Sequence, residues 1–400
     1  MPGFELFGEA ERQEVQDVLD SGVLMRYGFD GLRQGHWKAK DLEHAIQNRF
    51  KINHAQLVSS GTAAVSMALA AAGIGAGDEV IMPSFTFVAS FEAILMLGAT
   101  PIVVDIDDTL TLDIQSVKDA ITPKTKAIMP VHMCGSMARL DDLKSICVEH
   151  HLILIEDACQ AIGGTYRGKA LGTLGDLGCF SFDFVKTVTC GEGGVVITNS
   201  SKYAKHLDHF SDHGHDHMGS DRGAETHPFL GYNFRISELN AAVGLAQFRR
   251  LDEFLALQKK HYSIMRQALE PIDGVTFRTV PKGGVESYAF LNFFLNDLES
   301  AREVSNAFKE NGIDACFHYY DNNWHYIRKW NHLKEQQSLY PLSDEVTKGL
   351  DYLRHKTFLK SDHYIGRNMS CLVKLSWTET QVRERAKTMA ECIKTVYFNR

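Results

Sequence analysis

With 400 residues, 44% of them hydrophobic and 23% charged, the chain is long enough for one large core and a smaller second one. Its formal charge of -8 comes from interspersed acids and bases rather than blocks, which argues against a nucleic-acid footprint or a membrane-surface patch. Met1-Pro2-Gly3-Phe4-Glu5 has no basic stretch leading into an apolar run, and no later apolar run reaches the length of a membrane span, so the expected location is the cytoplasm.

From about Leu57 to Asn199 short apolar or β-branched runs alternate with helix-like segments, the pattern of a mostly parallel sheet wrapped by helices. Strands are predicted at Glu79–Met82, Pro101–Asp105, Ala127–Val131, Leu152–Glu156, Gly178–Phe182 and Gly194–Thr198. Helices are predicted at Ala63–Ala72, Phe91–Leu97, Ile114–Ala120 and Leu140–Glu149, each with apolar residues at helical spacing and Gly or Pro near an end. Ile236 to about Leu269 reads as one or two long helices. Beyond Pro271 come strand Tyr288–Leu295, helix Ala301–Asn311, strands Asp314–Tyr319 and Cys371–Ser376, and a final helix Thr380–Tyr397, which is the make-up of a smaller α+β domain. The stretch from about Tyr326 to Arg367 is polar and weakly periodic and is expected to be irregular. The expected division is a large domain over residues 1–250 and a small one over 251–400. The eight cysteines show no C-x-x-C pair and several lie in apolar runs, so buried, reduced thiols are expected.

In an open α/β sheet, ligands bind at the carboxyl ends of strands, so polar clusters there are the first candidates for function. Ser59-Ser60-Gly61-Thr62-Ala63-Ala64 opens an Ala-rich helix, where small residues and unpaired amides suit a phosphate, although Ser60 alone would also serve as an ordinary N-cap. Glu156-Asp157-Ala158-Cys159-Gln160 closes a very apolar strand, and a carboxylate buried there needs a cationic or protonated partner such as a pyridinium nitrogen. Ser181-Phe182-Asp183-Phe184-Val185-Lys186 sets a lysine between a strand end and the glycine-rich Cys190-Gly191-Glu192-Gly193-Gly194 turn, where desolvation would free its amine as a nucleophile. Gly231-Tyr232-Asn233-Phe234-Arg235 leads into the long helix, where Asn233 and Ser237 can act simply as caps.

In this order and spacing these segments resemble the DegT/DnrJ/EryC1/StrS sugar aminotransferases, and the match runs over most of the chain. The resemblance implies the aspartate-aminotransferase fold, that of pyridoxal-phosphate enzymes of fold type I, with pyridoxal 5'-phosphate as cofactor. Residue by residue it implies that Ser60, Gly61 and Thr62 cradle the cofactor phosphate and that Phe87, in Pro83-Ser84-Phe85-Thr86-Phe87, stacks on the pyridine ring. It further implies that Asp157 pairs with the ring nitrogen, Gln160 meets the ring oxygen, Ser181 adds a phosphate hydroxyl and Lys186 is the Schiff-base lysine. Asn233 would reach the phosphate held by a neighbouring subunit, which implies a homodimer with shared sites.

A narrower resemblance is carried by Arg26-Tyr27-Gly28-Phe29-Asp30, His132-Met133-Cys134-Gly135-Ser136, Ser211-Asp212-His213-Gly214-His215-Asp216-His217, Cys316-Phe317-His318-Tyr319-Tyr320 and Asn322-Asn323-Trp324-His325. These are similar to family members that aminate an eight-carbon sugar acid of bacterial lipopolysaccharide, with L-glutamate as the implied donor. Arg26, His215, His217 and His318 are accordingly expected to contact substrate. A nucleotide-linked keto-sugar is the alternative acceptor. A related branch of sugar dehydratases carries histidine in place of the lysine, and the presence of Lys186 favours transamination. The His-rich run from His209 to His227 raises a metal site as a further reading, but Gly214 and Gly219 interrupt any helix and no metal is expected.

Overall fold

A computed structural model describes residues 2–219 and 221–398 of the chain. It opens with α1 (Glu9–Ser21) and α2 (Lys38–Phe50), two helices absent from the sequence reading. The central run is β1 (His54–Val58), α3 (Gly61–Ala71), β2 (Glu79–Pro83), α4 (Val88–Met96), β3 (Thr100–Val104), α5 (Ile114–Asp119), β4 (Thr125–Ile128), α6 (Leu140–His150) and β5 (Ile153–Asp157). A small ribbon, β6 (Thr165–Tyr166) and β7 (Lys169–Ala170), precedes β8 (Leu177–Ser181), β9 (Gly194–Thr198) and α7 (Ser201–Ser211).

Seven strands form one sheet in the order β1-β9-β8-β5-β4-β2-β3. Only β9 runs against the others, pairing antiparallel with β1 and β8. Both faces are covered by helices, so β8 and β9 are buried at every position and read as continuous apolar runs rather than alternating ones. The strand predicted at Ala127–Val131 stops earlier, because Pro130 has no N–H to continue the ladder. All parallel strands end on one edge of the sheet, and the polar clusters described above collect there.

Two long helices follow, α8 (Glu238–Arg249) and α9 (Leu251–Leu269), the first packing against α1 and α2. Strands β10 (Thr276–Phe277), β11 (Gly284–Val285) and β12 (Phe290–Phe294) lead to α10 (Leu298–Glu310) and β13 (Cys316–Phe317). Short helices α11 (Asn331–Lys334), α12 (Asp344–Leu350) and α13 (Leu359–Arg367) precede β14 (Asn368–Leu372) and the last helix, α14 (Glu379–Phe398). A second sheet has the order β10-β12-β14-β13, packed on α9, α10 and α14 around Met265, Leu291, Phe293, Phe308 and Ile393.

Three expectations need correction. The strand predicted at Cys371–Ser376 lies earlier, at Asn368–Leu372, because the Ser370 hydroxyl lies within hydrogen-bond reach of the side chains of Asn292 and Asn368, and these buried polar residues carry no apolar signal to mark the strand. The stretch 326–367 is not simply irregular: Tyr326, Ile327, Trp330, Leu333, Val346, Leu350, Leu353 and Ile365 join the core of the large sheet. Tyr352 Oη takes the Val103 N–H at 2.7 Å and donates to the Pro101 carbonyl at 2.9 Å, so this segment docks on the edge strand β3. The thiols are not all free. Cys316 and Cys371 face each other across β13 and β14 and are joined as a disulfide, while Cys134, Cys147, Cys159, Cys179, Cys190 and Cys392 are free.

Candidate active site

A cavity of about 710 Å³ opens at the carboxyl edge of the large sheet. Ser60, Gly61, Thr62, Phe87, Asp157, Gln160, Ser181 and Lys186 all line it, so these sequence-predicted residues are brought together.

At one end lies the start of α3. The Ser60 hydroxyl accepts the Ala63 N–H at 3.0 Å, which leaves the remaining first-turn amides facing the cavity. Gly61 is required by space: a Cβ there would stand 2.6 Å from Ser181 Cβ and 2.8 Å from its hydroxyl. The Ser181 oxygen accepts the Asp183 N–H at 3.2 Å and keeps its own proton to donate. Amides, a hydroxyl and a helix dipole thus converge on a concavity that fits a phosphate.

Asp157, the last residue of β5, is buried. Its Oδ2 accepts from Ser90 Oγ at 2.8 Å and its Oδ1 from the Cys159 N–H at 3.1 Å. Since Ser90 spends its proton on Asp157, the 2.8 Å contact between Ser90 and Thr86 runs with Thr86 as donor. Sequence reasoning did not find Ser90 or Thr86, although both follow the C-terminus of β2 and lie one helical turn apart. Glu156 points to the opposite face of the strand and fixes the edge from below. It takes amides of Gly172, Leu174 and Gly175 and a 2.8 Å bond from His132. Burial alone would raise its carboxyl; the His132 bond and these amides hold it below the ordinary value.

Lys186 is half-buried on the far wall, in a turn closed by its N–H to the Asp183 carbonyl at 3.0 Å. Opposite, Phe87 meets the edge of His325, with ring centroids 5.7 Å apart. His325 stacks on Trp324 and abuts Tyr319, and with Phe317 these rings form an aromatic wall contributed by the C-terminal part of the chain. Burial, with the Lys186 charge added, pulls His325 down to about 3, so it is a neutral imidazole at working pH, and its buried Nδ1 has no hydrogen-bond partner. These wall residues were missed as contacts; the available signal was the density of aromatic residues around a lone histidine just after a strand.

The expected substrate contacts lie elsewhere in the chain. Arg26 is buried, its guanidinium committed to Glu43 at 2.7 Å and the Leu57 carbonyl at 3.0 Å, where it ties β1 to α2. His318 is buried with Nε2 on the Gly366 carbonyl at 2.9 Å. His215 pairs with Glu225 at 2.8 Å. His217 has both ring nitrogens engaged, by Asp208 at 2.9 Å and Asp212 at 3.0 Å, and Asp212 also holds Arg222 and Arg235. Asn233 is exposed, outside this cavity, and bridges in the antiparallel sense to Asp212. Among the described residues no group of three or more His, Cys, Asp or Glu is disposed to hold a metal ion.

The sequence that folds into this site matches a known family. The DegT/DnrJ/EryC1/StrS aminotransferase family matches residues 6–365. The chain belongs to this family. It is an aminotransferase, and pyridoxal 5'-phosphate is its cofactor. A GDP-perosamine synthase of Caulobacter vibrioides is 42% identical over 221 residues, 55% of this chain and 58% of that protein, less than two thirds of its length. A GDP-perosamine synthase of Vibrio cholerae is 34% identical over 341 residues, 84% of this chain and 88% of that one. The crystal structure of a 3-amino-5-hydroxybenzoic acid synthase superposes with a TM-score of 0.81 at 28% identity, covering 97% of each chain. The fold is that of pyridoxal-phosphate enzymes of fold type I. No helix among the described residues is long and apolar enough to cross a membrane.

Proposed function

We propose that this aminotransferase moves an amino group from L-glutamate to an oxidised sugar acid, 8-oxo-3-deoxy-manno-octulosonate, to give 8-amino-3,8-dideoxy-manno-octulosonate for lipopolysaccharide. The observation that carries the reading is the joining, in one cavity, of the α3 phosphate cradle, Asp157 and Lys186 beneath the aromatic wall of Phe317, Tyr319, Trp324 and His325.

Bound in this cavity, the cofactor supplies an electron-accepting ring that carries the amino group between donor and acceptor. Lys186, which lines the cavity, would hold the cofactor and would move the proton at the reacting carbon. Asp157, oriented by Ser90, keeps a proton on the ring nitrogen. Of the residues that line the cavity, Gln160 would donate to the ring oxygen, Phe87 would cover the ring face, and Ser60, Gly61, Thr62 and Ser181 would anchor the phosphate. The rings of Phe317, Tyr319, Trp324 and His325 offer surfaces that suit the ring faces of a sugar.

The functional unit is a homodimer. Phe29, Leu32, Leu230 and Tyr232 are exposed apolar residues on the segments around Asn233 and Arg26, the kind of surface a partner covers. Asn233, bridged to Asp212, then enters the neighbouring site.

An absorbance spectrum of the cofactor-loaded protein, before and after L-glutamate and then with keto-sugars, tests this. Loss of the bound pyridoxal band with glutamate and its return with the oxidised octulosonate is the expected result. A second reading, a nucleotide-linked keto-sugar as acceptor, is favoured by the similarity to GDP-perosamine synthases, and it wins if only such a sugar restores the band.

A further inference from the structure

Gln160 lines the cavity, but the orientation of its carboxamide is decided outside it. Its Oε1 accepts the Cys134 N–H at 3.1 Å. A backbone amide can only donate, so the oxygen faces the Cys134 turn and the nitrogen, with both its N–H groups, is left for the cavity. That turn has left-handed backbone at Cys134, φ 54°, and at Gly135, φ 80°. A cysteine holds such a conformation only where its surroundings enforce it.

The enforcing group is Arg278, buried at the margin of the second sheet. Its Nη1 donates to the Met133 carbonyl at 2.8 Å, its Nη2 to the Cys134 carbonyl at 2.6 Å and its Nε to Glu286 at 2.6 Å. Tyr262 donates to the other Glu286 oxygen at 3.1 Å, and the Ser287 N–H reaches the Gly135 carbonyl at 2.9 Å. The Met133 carbonyl and the Cys134 N–H are the two ends of one peptide plane. In a planar trans peptide they point in opposite directions, so fixing the carbonyl aims the N–H.

We propose that Arg278 is a positioning residue for the cofactor ring: by gripping the Met133–Cys134 peptide it turns the amide nitrogen of Gln160 toward the ring oxygen. This rests on the reading of Gln160 given under Proposed function. A donor on the ring oxygen shares its negative charge and weakens its hold on the proton that lies between it and the Lys186 nitrogen. Loss of that donor raises the pH at which the proton leaves, which is read directly as the titration midpoint of the visible band of the loaded protein.

The test compares Gln160→Leu with the paired change Arg278→Met/Glu286→Gln, which removes both buried charges together and so leaves no lone carboxylate inside. Both proteins are loaded with cofactor and checked for secondary structure by far-ultraviolet circular dichroism. The expected result is a midpoint raised by about one pH unit in each, the size of one charge-assisted hydrogen bond, with no further rise when the changes are combined. Glu286→Gln alone, which keeps Arg278 but loosens its anchor, should move the midpoint the same way by less, and serves if the paired variant does not fold. The proposal is overturned if Gln160→Leu shifts the midpoint while the folded, loaded Arg278 variant titrates like the parent. No shift in Gln160→Leu would remove the Gln160 reading and the proposal with it. Absence of any visible band in the loaded parent would instead strike the assignment of the cavity to the cofactor.

Discussion

Gly61 shows how little tolerance the cradle has. A methyl group at that position overlaps Ser181, and relief requires either the α3 start or the β8 end to move. Overpacking of this kind costs about 1–3 kcal/mol, and here the displaced groups are those proposed to hold the phosphate. Gly61→Ala should therefore weaken cofactor affinity at least about tenfold while leaving the protein folded, measurable by equilibrium dialysis of pyridoxal phosphate. Lys186→Ala should abolish turnover while the phosphate cradle still retains cofactor noncovalently; near-native steady-state activity in that variant would sink the assignment. Asp157→Ala should retain binding but lower kcat by about 10²–10⁴, the range for a positioned proton-holding group. Ser90→Ala, which frees only one oxygen of Asp157, should fall well short of that loss in the same assay.

Among the elements, the strands of the large sheet and the motifs at their ends were legible because burial on both faces turns them into apolar runs with polar punctuation. That Ser60, Gly61, Thr62, Asp157, Gln160, Ser181 and Lys186 gather at one cavity was readable because each sits within a few residues of such a strand end. Arg26 and His318 misled for a physical reason: a polar side chain in a distinctive segment carries no mark of whether its partner is a ligand or a carbonyl of its own chain. β14 was displaced in the reading because Asn368 and Ser370 satisfy each other within the sheet. The segment 208–233 illustrates the same point with histidines. Burial opposes the charged form of His217, but its bonds to Asp208 and Asp212 push it up to about 9, above its ordinary 6.5. Its contribution to stability is thus complete below about pH 6.5 and fades as pH rises through 9. Melting curves from pH 6 to 10 should show the parent losing its advantage over His217→Gln across that interval, and a constant difference would refute the charged brace.

For the whole molecule the decisive question is whether the site is shared. If Asn233 serves the neighbouring cavity, a Lys186→Ala subunit and an Asn233→Ala subunit are each inactive alone but complement when mixed. Random pairing makes half of the dimers mixed, each with one intact site, so activity should recover to roughly a quarter of the parent value. No recovery after verified subunit exchange would place Asn233 outside the catalytic unit.

The route of the chain between β13 and β14 bears on how this protein acquired its choice of substrate. The aromatic wall is continuous at one end with a paired strand, and at the other with a segment that docks on β3 through Tyr352 and on Asp105 through Ser361. It is a beam supported at both ends rather than a hinged flap. Such a beam can exchange Trp324 or His325 for other side chains without disturbing the cradle, the carboxylate or the lysine on the opposite bank. On the proposed reading of the site, substrate preference and amino-transfer chemistry then lie on separate stretches of sequence, free to drift at different rates, so that the first can be rewritten while the second stands still.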